Sequence, residues 1–181
     1  MEVRRLVTGH DAKGKSIVVS DGAPVRGKNF RYTPGFAQSV VWSTEAGETV
    51  PHSGPDPTPS VKSLHPEPGG TRFLLLTVPP DTVFADPSFD FGAAMQEHLT
   101  ETPGIADRFE PDTPGMHATD TVDYGVVLDG EIWLELDDNK TVHLRPHDMY
   151  VLNGGRHAWR NKGDKPATFA VVLVGAKRKA P

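Results

Sequence analysis

No cysteine occurs among the 181 residues. That excludes a disulfide framework, a thiolate zinc site, an iron–sulfur cluster and a cysteine nucleophile. No apolar run approaches the 18 or so residues that a membrane-spanning helix needs. The basic start Met1-Glu2-Val3-Arg4-Arg5-Leu6 lacks the apolar stretch that follows in a signal peptide. The expectation is a cytoplasmic protein without membrane contact. Positive charge is also short, with 19 basic against 24 acidic residues and a formal net charge of -5. A global cationic field for nucleic acid is therefore missing, and no nucleic-acid-binding module is visible. Only Lys177-Arg178-Lys179 is basic, and residues 177–181 read as a solvated tail. Long helical periodicity is absent too. The 18 glycines and 17 prolines favour many short strands and count against a coiled coil or helical bundle.

What is there is a series of short apolar runs separated by turn residues. Residues 1–38 form a β-rich N-terminal arm containing the run Ser16 to Ser20, closed by Asp21-Gly22. Residues 39–176 carry the main domain. Ser39 to Ser43 and Thr71 to Val78 read as strands, the second stopped by Pro79-Pro80. Residues 44–70 between them are rich in Pro, Gly, Ser and Thr, so a long surface loop is expected. Over 87–100 the period changes: Phe91, Ala94, Met95, His98 and Leu99 fall on one helical stripe, with Asp86 or Ser88 as the cap. His98 reads as a packing or surface residue. Beyond 115 come strands over 123–128, 132–136, 142–144, 149–152 and 167–174, the last apolar throughout and expected to be covered on both faces. Asp129-Gly130 is a hairpin signal. Regular short strands of this kind predict an all-β antiparallel barrel or sandwich with one short helix.

Two clusters carry the chemistry. Strand alternation puts His117, Thr119, Thr121, Asp123 and Val127 on one face, which Val127 turns inward. Buried ionisable groups are costly unless paired, hydrated or bound to an ion. The second cluster runs Gly154-Gly155-Arg156-His157-Ala158-Trp159-Arg160-Asn161. The spacing His117-x-Thr119, three residues, Asp123, six residues, Gly130 resembles the first motif of the cupin superfamily. Leu152-x-Gly154, two residues, His157, three residues, Asn161 resembles the second. The resemblance implies a single cupin-type β-barrel, a double-stranded β-helix, whose pocket takes a small molecule. It also implies a homodimer; because open barrel edges invite pairing, the N-terminal segment can cross to a neighbouring subunit.

Carried over position by position, the metal ligands would be His117, Asp123 and His157, with Thr119 where the family has a second histidine. Two histidines and a carboxylate suit Fe, Mn, Ni or Zn, and no organic cofactor is implied. The alternative is a metal-free polar pocket of the same three residues, with Asp123 orienting one imidazole. Either way His117, Asp123 and His157 are the catalytic candidates, and Trp159, Thr119 and Arg156 the substrate-binding ones. Asn161 reads as a loop-fixing residue, Tyr124 as outward packing or interface, His143 as exposed and His147 as a turn substitution. His52 and His65 have no evident partner. The expected function is a redox-neutral lyase or isomerase of decarboxylation or dehydration type. A metal-dependent dioxygenase and a non-catalytic ligand-binding barrel are the alternatives.

Overall fold

Alternating burial along the strands organises the chain. The computed structural model describes residues 3–52 and 54–179. Strands β1 (Arg5–His10) and β2 (Ser16–Gly22) pair only with each other. Strands β3 (Arg26–Asn29), β4 (Ala37–Thr44) and β5 (Thr71–Val78) precede the helix α1 (Phe91–Glu101). After the helix come β6 (Thr121–Asp129), β7 (Ile132–Glu135), β8 (Thr141–Leu144), β9 (Met149–Asn153), β10 (Ala158–Arg160) and β11 (Ala167–Gly175). They form a six-stranded antiparallel sheet, β3-β4-β5-β11-β6-β9, and a three-stranded one, β10-β7-β8. Val40, Leu74, Val127, Phe169 and Leu173 from the larger sheet share one core with Ile132, Leu134 and Leu144 from the smaller. The two sheets therefore close face to face as an antiparallel β-barrel, in the all-β class that the sequence predicts. No helix among the described residues is long and apolar enough to cross a membrane.

Several local expectations are corrected. Asp129-Gly130 does not make a hairpin, because β6 pairs with β11 and β9 while β7 belongs to the other sheet. Gly130 takes φ 70°, and a Cβ there would crowd the Pro166 carbonyl and Ala167, so glycine lets the chain change sheets. Strand β11 is not covered on both faces. Phe169, Val171 and Leu173 are buried, while Ala170, Val172 and Val174 are half-buried on the outside. The helix starts at Phe91, and its cap is Asp90, whose carboxylate accepts from the Ala93 amide at 2.9 Å. Asp86 instead closes a turn on Ser88.

Residues 44–70 are not merely a surface loop. Leu64 is fully buried in the core, its amide bonded to the Pro103 carbonyl, and Thr58 is buried beneath Asp56. His65 finds a partner there, accepting at Nε2 from the Asp120 amide at 3.0 Å. His143 is half-buried, stacked on Trp133 at 4.2 Å and bonded to Glu131. His147 takes φ 75°, a conformation that favours glycine. Tyr124, Met149 and Val151 are exposed on the outside of the larger sheet.

Asn161 ties the end of β10 to the start of β11. Its buried amide donates to the carbonyls of Val78 and Lys165 and accepts from the Gly163 amide. Asn161→Ala leaves those backbone groups without partners. It is expected to cost about 2 kcal/mol, a fall in Tm of roughly 4–8 °C, measurable by calorimetry.

Candidate active site

The two motif histidines meet through the backbone. His117 and His157 exchange amide-to-carbonyl hydrogen bonds at 3.0 and 2.9 Å, an isolated antiparallel bridge that sets their rings 4.5 Å apart. Each ring is fixed in the same way. Nδ1 of His117 lies 3.0 Å from the Gly115 carbonyl, and Nδ1 of His157 lies 2.9 Å from the Gly155 carbonyl. A carbonyl only accepts, so each Nδ1 carries the proton, and each Nε2 is left as an acceptor without a protein partner among the described residues. Burial pushes both imidazoles down, His117 to about 4 with His157 adding to the effect. Both rings are therefore neutral at pH 7.

Asp123 lies on β6, directly opposite Leu152 of β9, with 5% of its surface exposed. Burial raises its carboxyl to about 6. Its Oδ1 and the hydroxyl of Tyr150 are both buried without a hydrogen-bond partner among the described residues. Burial and the charge of Asp123 push the Tyr150 phenol well above its ordinary range, so it stays a donor. Tyr150 was not among the candidates, yet two signals mark it. It alternates in phase with Leu152, and Gly125 stands opposite it inside a strand. A Cβ at Gly125 would overlap the phenol ring, so the missing side chain is the space that Tyr150 occupies. Thr119 is buried, with its hydroxyl 2.7 Å from that of Thr121.

These groups line a cavity of about 770 Å³ inside the barrel. Trp159 belongs to its wall, packed on Tyr150 at 4.9 Å and Phe169 at 4.7 Å. The lining also takes in α1 and the segment before it, through Phe84, Phe89, Phe91, Met95 and His98. His98 is packed between Phe30 and Phe36, and burial lowers it to about 4.

Two of the sequence-derived roles change. Arg156 is not in the lining: Glu110 clasps it at 2.6 Å through two nitrogens and Asp137 takes a third contact at 3.0 Å, so it has no free face for a substrate carboxylate. Asp123 does not orient an imidazole, since backbone carbonyls hold both rings. Arg178, assigned to a solvated tail, reaches back to Asp120 and to the carbonyls of Thr119 and Gly154, clamping both motif strands from outside. Its distance in sequence hides that role.

Among the described residues, no three His, Cys, Asp or Glu side chains come together as a metal site. The imidazole pair is present, but the third ligand does not close. Thr119 spends its hydroxyl on Thr121, and the Asp123 carboxylate, one methylene shorter than glutamate, stays apart with its Oδ1 unpartnered. The arrangement does not fit a three-ligand centre.

Comparisons with known proteins place the chain among relatives. A family model described as Cupin domain matches residues 108–174, which include both histidines, Asp123 and Tyr150. Phomopsin biosynthesis cluster protein C' of Diaporthe leptostromiformis is 31% identical over 165 residues, 87% of this chain and 70% of the relative. Phomopsin biosynthesis cluster protein D of the same fungus is 30% identical over the same coverage. A Neurospora crassa protein named cupin-domain-containing oxidoreductase srdB is 27% identical over 180 residues, 96% of this chain and 74% of that one.

Proposed function

Because the chain belongs to the cupin superfamily, we propose that it is a small-molecule enzyme that works inside the barrel cavity by redox-neutral proton transfer, of the lyase or isomerase kind. The observation that carries this reading is the imidazole pair, buried, neutral and fixed at Nδ1 by the Gly115 and Gly155 carbonyls. Such a ring holds its Nε2 lone pair ready as a general base. Given a C–H bond next to a carbonyl, His117 or His157 takes the proton and the bonding pair moves into an enolate. The Tyr150 hydroxyl donates to the developing oxyanion. The proton returned to a different carbon gives an isomer. Returned to a β-hydroxyl, it breaks the C–O bond and water leaves. Both routes conserve atoms and electrons without an oxidant. Asp123, with its carboxyl near 6, can hold or give up a proton at working pH.

A second reading, oxidation of the bound molecule, draws support from the name of the Neurospora crassa relative. One experiment separates the readings. The protein is incubated in D₂O under nitrogen with a panel of enolisable carbonyl compounds, and deuterium entering the α-carbon is followed by NMR. The expected result is exchange that each of His117→Gln and His157→Gln slows about tenfold, the other imidazole remaining, with the circular dichroism unchanged. Turnover that requires air would favour oxidation. Binding without any exchange would overturn catalysis and leave a ligand-binding barrel.

A further inference from the structure

The cavity lining falls into two chemical groups. One holds four polar atoms without protein partners among the described residues: Nε2 of His117, Nε2 of His157, Oδ1 of Asp123 and the hydroxyl of Tyr150. The other is aromatic. Phe84, Phe89 and Phe91 meet edge to face at 5.3 and 6.1 Å, and Phe84 and Phe91 remain 40% and 55% exposed where they line the opening. Aromatic rings left in water at the rim of a cavity are a contact surface for a further ring. Trp159 and Phe169 continue the aromatic wall inward.

Charge narrows the class further. The lining contains Asp81, Glu110 and Asp123 against one cation, Arg160, which is already paired with Glu135 and donates to the Pro114 carbonyl. The one permanent cation of the described lining is therefore already charge-paired. The polar group also needs both kinds of hydrogen-bonding partner at once. Tyr150 O–H needs an acceptor, whereas Asp123 Oδ1 and the two Nε2 atoms need a donor. An ammonium only donates and a carboxylate only accepts. A hydroxyl does both, accepting from Tyr150 and donating its single proton to Asp123 Oδ1, and leaving those two fully buried groups unpaired is costly.

We propose that the cavity takes an uncharged, multi-ring aromatic molecule bearing a hydroxyl, a phenol or its enol equivalent. The hydroxyl is seated between Tyr150, Asp123 and the histidine pair, and the rings run out along Trp159 toward Phe84 and Phe91. This rests on the cavity being the working site of a cupin-type enzyme, and it names the substrate class for that site. A volume of about 770 Å³ sits in the upper part of the usual range of roughly 300–1,000 Å³ for small-molecule pockets, enough for several fused rings.

The test titrates the full chain with three four-ring probes that differ only in their polar group: 1-hydroxypyrene, 1-pyrenecarboxylate and 1-pyrenemethylamine, with affinity read by calorimetry and by energy transfer from tryptophan. The hydroxyl probe is expected to bind at least about tenfold more tightly than either charged probe. Tyr150→Phe should erase most of that preference while leaving the affinity for unsubstituted pyrene unchanged, and Phe91→Ala should weaken all probes alike. Should Tyr150→Phe fail to fold, Asp123→Asn supplies the second variant and is expected to narrow the preference. Equal affinities, or tighter binding of the carboxylate or the amine, would sink the proposal. A hydroxyl preference without α-carbon exchange on any substrate would leave the ligand class standing and remove the catalytic reading. Histidine-dependent exchange without that preference would remove the ligand class alone.

Discussion

Acidification from pH 7 to pH 4.5 is expected to cost the fold about 3 kcal/mol or more, read as a fall in the urea midpoint. The source is the buried imidazoles. His98 and His117 are each lowered by burial to about 4, and His157 is lowered as well. An unfolded histidine takes its proton near 6.5, so between 6.5 and 4 the unfolded chain binds more protons than the folded one. Stability is therefore full above 6.5 and is lost as the pH falls toward 4, by about 3 kcal/mol for each group shifted from 6.5 to about 4. Asp123 acts in the opposite direction. Its carboxyl is raised to about 6, so the folded state keeps that proton longer, and acidification relieves a penalty on the order of 2 kcal/mol. Three groups outweigh one, and the net sign is a loss. His98→Gln is expected to shrink the drop by about 2 kcal/mol, and Asp123→Asn to enlarge it while raising stability at pH 7. A urea midpoint that stays level from pH 7 to 4.5 would contradict the burial of these rings.

Thr119→His is expected to turn a site that does not close around a metal into one that does. Thr119 stands two residues after His117 and lines the same cavity, so a larger side chain has room to enter it. A third imidazole beside His117 and His157 completes a nitrogen triad suited to Zn(II) or Fe(II). The expected gain in affinity is about a hundredfold or more, beyond the 10- to 100-fold that an outer-sphere partner commands. The loss of the hydrogen bond to Thr121 costs about 1 kcal/mol of stability in the apo protein. Competition titration with a chromophoric chelator reads the change directly. Equal zinc affinity in the variant and the parent chain would mean that position 119 does not aim at the imidazole pair.

Much of this site was legible because its elements obey simple periods. The resemblance of the two motifs to those of the cupin superfamily implies that His117 and His157 share a pocket, and alternation puts Asp123 and Thr119 on one face with His117. Short alternating runs broken by Gly and Pro give an antiparallel barrel or sandwich, and the resemblance decides for the barrel. Other features depend on pairing between distant segments. That β11 lies between β5 and β6, or that Arg178 closes on the carbonyls of Thr119 and Gly154, leaves no local trace. Arg156 beside His157 invites a substrate role, and only the fold reveals Glu110 arriving from 46 residues away to occupy it. Tyr150 was readable in principle, since a glycine inside a strand marks a close approach, but its partner emerges only from the register of β6 on β9. The loop over 44–70 misleads because its composition is that of a surface turn, while Leu64 and Val61 pack on the core and Thr58 and Pro66 are buried.

The β1–β2 ribbon has a consequence for the order in which the molecule assembles. A two-stranded ribbon is marginal in water by itself. This one is held to the rest of the chain by Arg5, buried beside Trp42, hydrogen-bonded to the Val41 carbonyl and ion-paired with Asp56 at 2.6 Å. Those partners lie some 36 to 51 residues further along. During synthesis, at roughly 5–20 residues per second, the ribbon therefore emerges seconds before anything exists to hold it. Docking of the ribbon waits on the stretch from Val41 to Asp56, and once made it reports that this stretch has already taken its place.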